Sequence, residues 1–259
     1  MLDELVAGAV ADAAARRAAR SLQQVEADAL ARPPARDAVA ALAPADRVKI
    51  IAEVKRASPS RGPLSEITDP AALAVSYQTG GASAISVLTE GRRFRGSLDD
   101  LEQVCDAVQI PVLRKDFVVE PYQVFEARAV GADLVLLIVA ALDQQVLQEL
   151  YALISQLGMT ALVEAHSADE VERALDLGAS LVGVNARDLS TFTLDRDLFG
   201  TVAGSIPSGV IRVAESAVLE PADVAHYRAA GADVVLIGEA LVRGDDPVSS
   251  LEAFLAAGA

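Results

Sequence analysis

The stretch KIIAEVKRASPSRGPL, residues 49–64, runs from a short apolar segment into alternating charge and then into a Ser/Pro/Gly loop. Read as a strand, it sends Ile51, Glu53 and Lys55 to one face and Ile50, Ala52 and Val54 to the other, because strand side chains alternate. The second set is apolar and suits a cover of helices. The first puts a glutamate and a lysine on a face that a parallel sheet would bury. A buried ion pair fixing the sheet is one account, although such pairs add little net stability. The other is a strand that delivers chemistry to the loop behind it.

Runs of the same kind recur along the chain: AISVL (84–88), IPVLRK (110–115), DLVLLIV (133–139), MTALVE (159–164), SLVGVN (180–185), VIRVAE (210–215) and DVVLIG (233–238), eight with the first. Helix-length segments separate them. Asp69-Pro70 reads as a cap with a first-turn proline, Ser167-Ala-Asp-Glu170 as a capping box, and glycines 80, 131, 178 and 231 as helix ends. Gly-Ala precedes the second, fourth, sixth and eighth runs as GAS or GAD, which marks a repeat of two βα units. Continuous apolar strands covered by helices imply a parallel sheet, and eight such units favour closure into a single (β/α)8 barrel. An open doubly wound sheet would carry a G-x-G-x-x-G turn after its first strand, and SPSRG is not one. Residues 1 to about 31 alternate apolar and charged positions at helical spacing until ARPPAR (31–36) breaks the pattern. The expectation is one domain, with an N-terminal helical extension over 1–45 and the barrel over 46–259.

At 259 residues, with 52% hydrophobic and 23% charged, the chain suits one large barrel core. Its formal net charge of −15 argues against non-specific binding to nucleic acid or to an anionic membrane. An anionic ligand must therefore meet a local positive pocket. The first residues are acidic where a signal peptide would be basic, and no run approaches the ~18 apolar residues of a membrane span, so a cytoplasmic location is expected. Cys105, the single cysteine, falls in the apolar pattern of a helix and reads as packing. Two histidines argue against a His-rich metal site.

Barrel active sites lie at the C-terminal strand ends. Here those ends carry Glu53 and Lys55, Lys115, Glu164, Asn185 with Arg187 nearby, then Glu215 and Ser216. So many polar groups at one rim are hard to explain by stability, since each must be desolvated and neutralised by neighbours. Gly238-Glu239 after the last run, with Ser216 after the seventh, stands where barrels commonly hold a phosphate on backbone N–H groups.

EVKRASPSRG (53–62), ISVLTE (85–90), FRGSLDDL (94–101), LRKDF (113–117), LVEAH (162–166), VGVNARDL (182–189) and LIGEAL (236–241) occur in one order. In these motifs the chain resembles the indole-3-glycerol-phosphate synthase family of tryptophan biosynthesis, essentially end to end. The resemblance implies ring closure of 1-(2-carboxyphenylamino)-1-deoxyribulose 5-phosphate to indole-3-glycerol phosphate, with loss of carbon dioxide and water and no cofactor. It implies Lys115 as general acid, Lys55 as a binder of substrate anions with a part in later proton transfer, and Glu164 as the carboxylate that stabilises the cationic intermediate or assists dehydration. Glu53 and Asn185 would orient substrate and neighbours, and Ser216 would belong to the same catalytic set. Ser58, Arg187, Glu215, Gly238 and Glu239 match substrate-contacting positions. Phe94, Phe117 and Leu137 are expected to wall the anthranilate ring, for which plain core packing is the alternative. The family's N-terminal segment lies near that end of the substrate. A small phosphorylated substrate is the expected partner, for a monomer or weak homo-oligomer.

The chain departs from the family at Glu215-Ser216-Ala217, where Glu-Ser-Gly is usual. If the third position takes φ > 0, Ala217 is strained there; if φ is negative, the change is nearly silent. Two other readings compete: a phosphoribosyl isomerase barrel, which typically needs an acid/base pair such as Cys and Asp, and a non-catalytic phosphate-binding protein.

Overall fold

The computed structural model describes residues 1–59, 61–188, 193–243 and 246–259; Ser60 and Leu189, within two of the quoted motifs, lie outside the described residues. Eight strands form the centre: β1 (Lys49–Val54), β2 (Ala84–Leu88), β3 (Val112–Lys115), β4 (Leu134–Ile138), β5 (Thr160–Ala165), β6 (Leu181–Asn185), β7 (Ile211–Glu215) and β8 (Val234–Ile237). Each pairs in parallel with its sequence neighbours, and β8 returns to β1 to close a barrel. Every run expected from sequence holds one of these strands.

Three helices precede β1: α1 (Leu2–Ala19), α2 (Leu22–Ala31) and α3 (Ala38–Leu42). After it come α4 (Pro70–Thr79), α5 (Leu98–Ala107), α6 (Pro121–Ala129), α7 (Gln144–Gln156), α8 (Ala168–Asp176), α9 (Leu198–Val202), α10 (Pro221–Ala229), the short α11 (Glu239–Val242) and α12 (Pro247–Ala257). The chain thus alternates strand and helix around the (β/α)8 barrel expected from its repeat.

Alternation along the strands sorts two cores. Ile50, Ala52 and Val54 join Val135, Leu137, Val182 and Val235 in the layer between strands and helices. Ile51, Leu113, Leu134, Leu136, Leu162, Leu181, Val213 and Val234 fill the barrel. The same parity carries Glu53, Lys115, Glu164 and Glu215 inward, because successive strand residues face opposite sides. It also corrects the expectation for Leu137. That side chain is fully buried in the outer layer, while Leu136 and Ile138 point inward. LVLLI is apolar on both faces, so nothing in its composition marks the inward set.

The helix ends follow their cap residues with two adjustments. Asp69 accepts the Ala72 N–H ahead of Pro70, as expected. Ser167 accepts the Glu170 N–H, but the Glu170 carboxylate takes the N–H of His166 at 2.8 Å instead of closing a box onto Ser167. In the first Gly-Gly pair the left-handed residue is Gly81 (φ 98), with Gly80 at φ −72 ending the helix. The aspartates of the two GAD units have a structural task. Asp133 accepts the Val112 N–H at 2.9 Å and Asp233 the Arg212 N–H at 3.0 Å, so each ties the starts of adjacent strands.

The N-terminal segment is broken twice rather than once. Ser21 ends the first helix and caps the second in a reciprocal pair with Gln24. Val25 and Ala29 of α2 pack against Tyr122 and Ala129 of α6. Arg16 of α1 donates to both oxygens of Glu126 at 2.5 and 2.9 Å, and Arg36 before α3 holds Asp133 and the carbonyls of Cys105 and Val108. The extension is therefore fastened along β3, β4 and α6. Among the described residues no helix is long and apolar enough to cross a membrane.

Candidate active site

The C-terminal rim gathers charge from five strands into one pocket. Glu53, 3% exposed, pairs with Lys55 Nζ at 2.5 Å. Two glycines make room for this density of polar groups. A Cβ on Gly238 would lie 2.3 Å from Glu53 Oε1 and 3.0 Å from Lys55 Nζ, and one on Gly183 would lie 2.1 Å from Glu215 Oε1. Gly238 thus clears space for the charged pair besides lining the pocket, and Gly183 is required by its neighbour on the next strand. Sequence reasoning missed Gly183. Its signal was the parity Leu181, Gly183, Asn185, which puts the glycine inside the barrel.

Lys115 is the centre of the cluster. Its Nζ donates to Glu164 Oε2 at 2.8 Å and to Glu215 Oε2. Burial alone would pull the lysine pKa down, but Glu164, Glu215 and Glu53 outweigh it and hold the ammonium charged. Burial likewise opposes the charge on Glu164, yet Lys115 and His166 keep that carboxyl below its ordinary range. One cation cannot serve two buried carboxylates equally. Burial, reinforced by Glu164, overcomes the help of Lys115 and pushes Glu215 up to about 8. At neutral pH the cluster therefore holds an ammonium, an ionised Glu164 and a Glu215 that retains a proton.

One wall of the pocket is apolar. The rings of Phe94 and Phe117 lie 6.4 Å apart at 43°, beside Leu136, Ile138 and Leu5. The Glu90 carboxylate fixes the Phe94 loop by accepting the N–H groups of Arg92, Arg93 and Phe94 at 2.7 to 2.9 Å. Gly96 lets that loop cross the Leu88 carbonyl, which a Cβ would meet at 1.9 Å. Arg92 is in turn bound to Asp12 of α1 at 2.7 and 2.9 Å, so the extension both supplies Leu5 and braces the aromatic loop.

The opposite wall is polar. Ser216 (φ 68) and Ala217 (φ 57) are both left-handed, so the condition under which alanine is strained holds. Asn185 Oδ1 accepts the Arg187 N–H at 3.0 Å. Glu239 Oε1 lies 3.3 Å from Arg61 Nε and 3.1 Å from Arg243 Nη2, which offset its charge at the start of α11. Ser58 lines this side, and its buried Oγ makes no hydrogen bond.

All the site residues expected from sequence line this one pocket except Leu137. Those missed include Leu5, Arg61, Leu136, Ile138, Leu194 and Leu219. Strand parity was the available signal for Leu136 and Ile138. Leu5 and the two later leucines had none, since a lone leucine in a helix or loop carries no address. Cys105 is buried on α5, its thiol pushed up to about 12 mainly by burial, and it does not line the pocket. A cysteine acid/base pair at this rim, which the isomerase reading would need, is not formed by it.

Comparison with known proteins bears on the same pocket. The family model of indole-3-glycerol phosphate synthase matches residues 2–254. A protein of that name from Leifsonia xyli is 71% identical over 254 residues, covering 98% of this chain and 97% of its own. Another from Mycolicibacterium vanbaalenii is 57% identical over 259 residues, covering 100% and 95%. Among solved structures, a thiamine phosphate pyrophosphorylase from Pyrococcus furiosus superposes with a TM-score of 0.63 at 14% identity, covering 81% of this chain and 95% of that one. At that identity the likeness concerns the fold alone.

Proposed function

The chain belongs to the indole-3-glycerol phosphate synthase family, and on that premise we propose how its rim residues divide the decarboxylative ring closure among them. The substrate, 1-(2-carboxyphenylamino)-1-deoxyribulose 5-phosphate, sets its aromatic ring against Phe94, Phe117, Leu136 and Ile138, and its phosphate beside Ser216, Ala217, Gly238 and Glu239. This orientation matches the apolar and polar walls and spans the charged cluster with the reacting ketone.

Ring closure forms a bond between the carboxylate-bearing ring carbon and the ketone carbon, and the ketone oxygen becomes a hydroxyl. Lys115 stabilises the charge growing on that oxygen and supplies the proton. Glu215, which retains a proton at neutral pH and accepts from Lys115, is placed to restore the lysine's charge. Carbon dioxide then leaves with its bonding electrons returned to the ring system. Loss of a proton and of the hydroxyl as water completes the indole. Glu164, ionised beside Lys115, offsets the positive intermediate and assists the dehydration. Lys55 meets the substrate's anionic carboxylate and takes part in the later proton transfer, held in place by Glu53. Ser58, Arg187 and Asn185 orient the substrate chain. The same reading has the whole of 1–259 act as one unit in the cytoplasm, as a monomer or weak homo-oligomer, without a cofactor.

The observation that carries this assignment is Lys115 Nζ held by two buried carboxylates in a pocket whose walls differ in polarity. Steady-state kinetics of Glu164→Gln test it: turnover falls by about a hundredfold or more while KM changes little, as expected for a group acting mainly in the transition state. A change confined to KM would make Glu164 a binding residue and refute its role.

A further inference from the structure

His166 ends the motif LVEAH, two residues beyond Glu164 and on the same inward parity. Its side chain is only 11% exposed. Nε2 lies 3.4 Å from Glu164 Oε1, and Nδ1 lies 3.3 Å from Glu170 Oε2. That Glu170 oxygen already accepts the His166 backbone N–H at 2.8 Å, which anchors both the ring and the carboxylate at the start of α8. Glu164 Oε2 is held by Lys115, so each oxygen of the carboxylate faces a different basic group.

A neutral imidazole has one N–H and donates in one direction only. Here both ring nitrogens face carboxylate oxygens, so only the doubly protonated ring satisfies both. Buried Nε2 has no other hydrogen-bond partner. The charges that bear on the ring come from every side of its niche: Glu170 on α8, Glu164 on β5 and Glu215 on β7. Together they outweigh burial and raise its pKa above the ordinary 6.5.

We propose that His166 is a positioning residue for ring closure, its imidazolium bridging Glu164 to Glu170 and fixing the plane of Glu164 so that Oε2 stays on Lys115. The clamp keeps Glu164 ionised and unable to swing toward Glu215. This inference rests on the catalytic role given to Glu164 above and adds the residue that aims it.

The chain has two histidines, so NMR titration of the imidazole Cε1–H signals tests the clamp directly, with a His226→Gln variant assigning them. His166 is expected to titrate above 6.5, and Glu170→Gln is expected to lower that midpoint. In kinetics, His166→Gln lowers kcat by about tenfold, the loss of one charge-assisted hydrogen bond, with KM within twofold and with the alkaline fall in kcat due to His166 removed. Should His166→Gln not fold, Glu170→Gln gives the same split between kcat and KM with a smaller loss. A His166 midpoint at or below 6.5, or kcat within twofold of the parent in both variants, overturns the clamp. Full turnover by Glu164→Gln overturns the catalytic role beneath it and the proposal with it, a result separable from the NMR outcome.

Discussion

Ala217 stands at φ +57 directly after a left-handed Ser216, on the wall assigned to the substrate phosphate. A methyl group in that region costs about 1–2 kcal/mol. Replacing it by glycine relieves the clash but loosens the unfolded chain, which gives back about 0.4–1 kcal/mol. Ala217→Gly should therefore stabilise the protein by about 1 kcal/mol, or about 2–4 °C in Tm for a chain of this size. A second consequence concerns the ligand. Without the methyl the backbone can approach an anion more closely, and one better-aligned charge-assisted hydrogen bond is worth up to about tenfold in affinity. Differential scanning calorimetry reads the first effect, and inhibition by inorganic phosphate reads the second without involving the aromatic wall. Turnover should change less, because the loop is remote from the reacting carbons. An unchanged Tm together with an unchanged phosphate inhibition constant would refute both the strain and the assignment of this wall.

Glu215 gives a pH signature. Its folded pKa lies above the usual 4.5, so folding takes up a proton, and its contribution is complete below pH 4.5 and is lost as pH rises toward about 8. Glu215→Gln stays neutral and should flatten that part of the Tm profile between pH 5 and 8; parallel curves for parent and variant would contradict the shift. Leu5→Ala removes apolar contact at the aromatic end and should raise KM by about threefold to tenfold with kcat little changed, since burying its side chain is worth about 1.5–3 kcal/mol; an unchanged KM in steady-state assays would reduce α1 to a structural brace. Gly183→Ala drives a Cβ to 2.1 Å from Glu215 Oε1, so calorimetry should show a loss of about 1–3 kcal/mol, the usual cost of overpacking, and turnover should fall as Glu215 is pushed off Lys115. Wild-type stability and turnover would show that Glu215 has another place to go.

Much of this architecture was legible because polar residues broke otherwise apolar strands. In KIIAEVK the alternation of Ile51, Glu53 and Lys55 showed which face was inward, and the barrel followed from eight such runs. In LVLLI no polar residue marks a face, so Leu137 was placed on the wrong side of the sheet and Leu136 and Ile138 were overlooked. The charges at the rim could be found one by one, but their pairing could not. That Lys115 lies between Glu164 and Glu215 depends on strands β3, β5 and β7 converging across the barrel. Gly183 shows the same limit, because its need for a missing side chain is set by Glu215, which lies far along the chain and directly across a strand pair. Leu5 reaches the pocket only because Arg16 and Asp12 fasten α1 to Glu126 and Arg92.

The central claim is that this pocket closes the indole ring by means of the Lys115 cation. Purified parent protein should develop indole fluorescence on addition of the carboxyphenylamino-deoxyribulose phosphate, releasing one carbon dioxide per indole formed. Lys115→Ala should give none above background. That variant leaves Glu164 and Glu215 without their cation, at a cost of about 3–5 kcal/mol, so its folding is checked by its melting curve at pH 6, where the carboxyls can take up protons. No fluorescence from the parent, or activity of a folded Lys115→Ala within tenfold of it, would contradict the account.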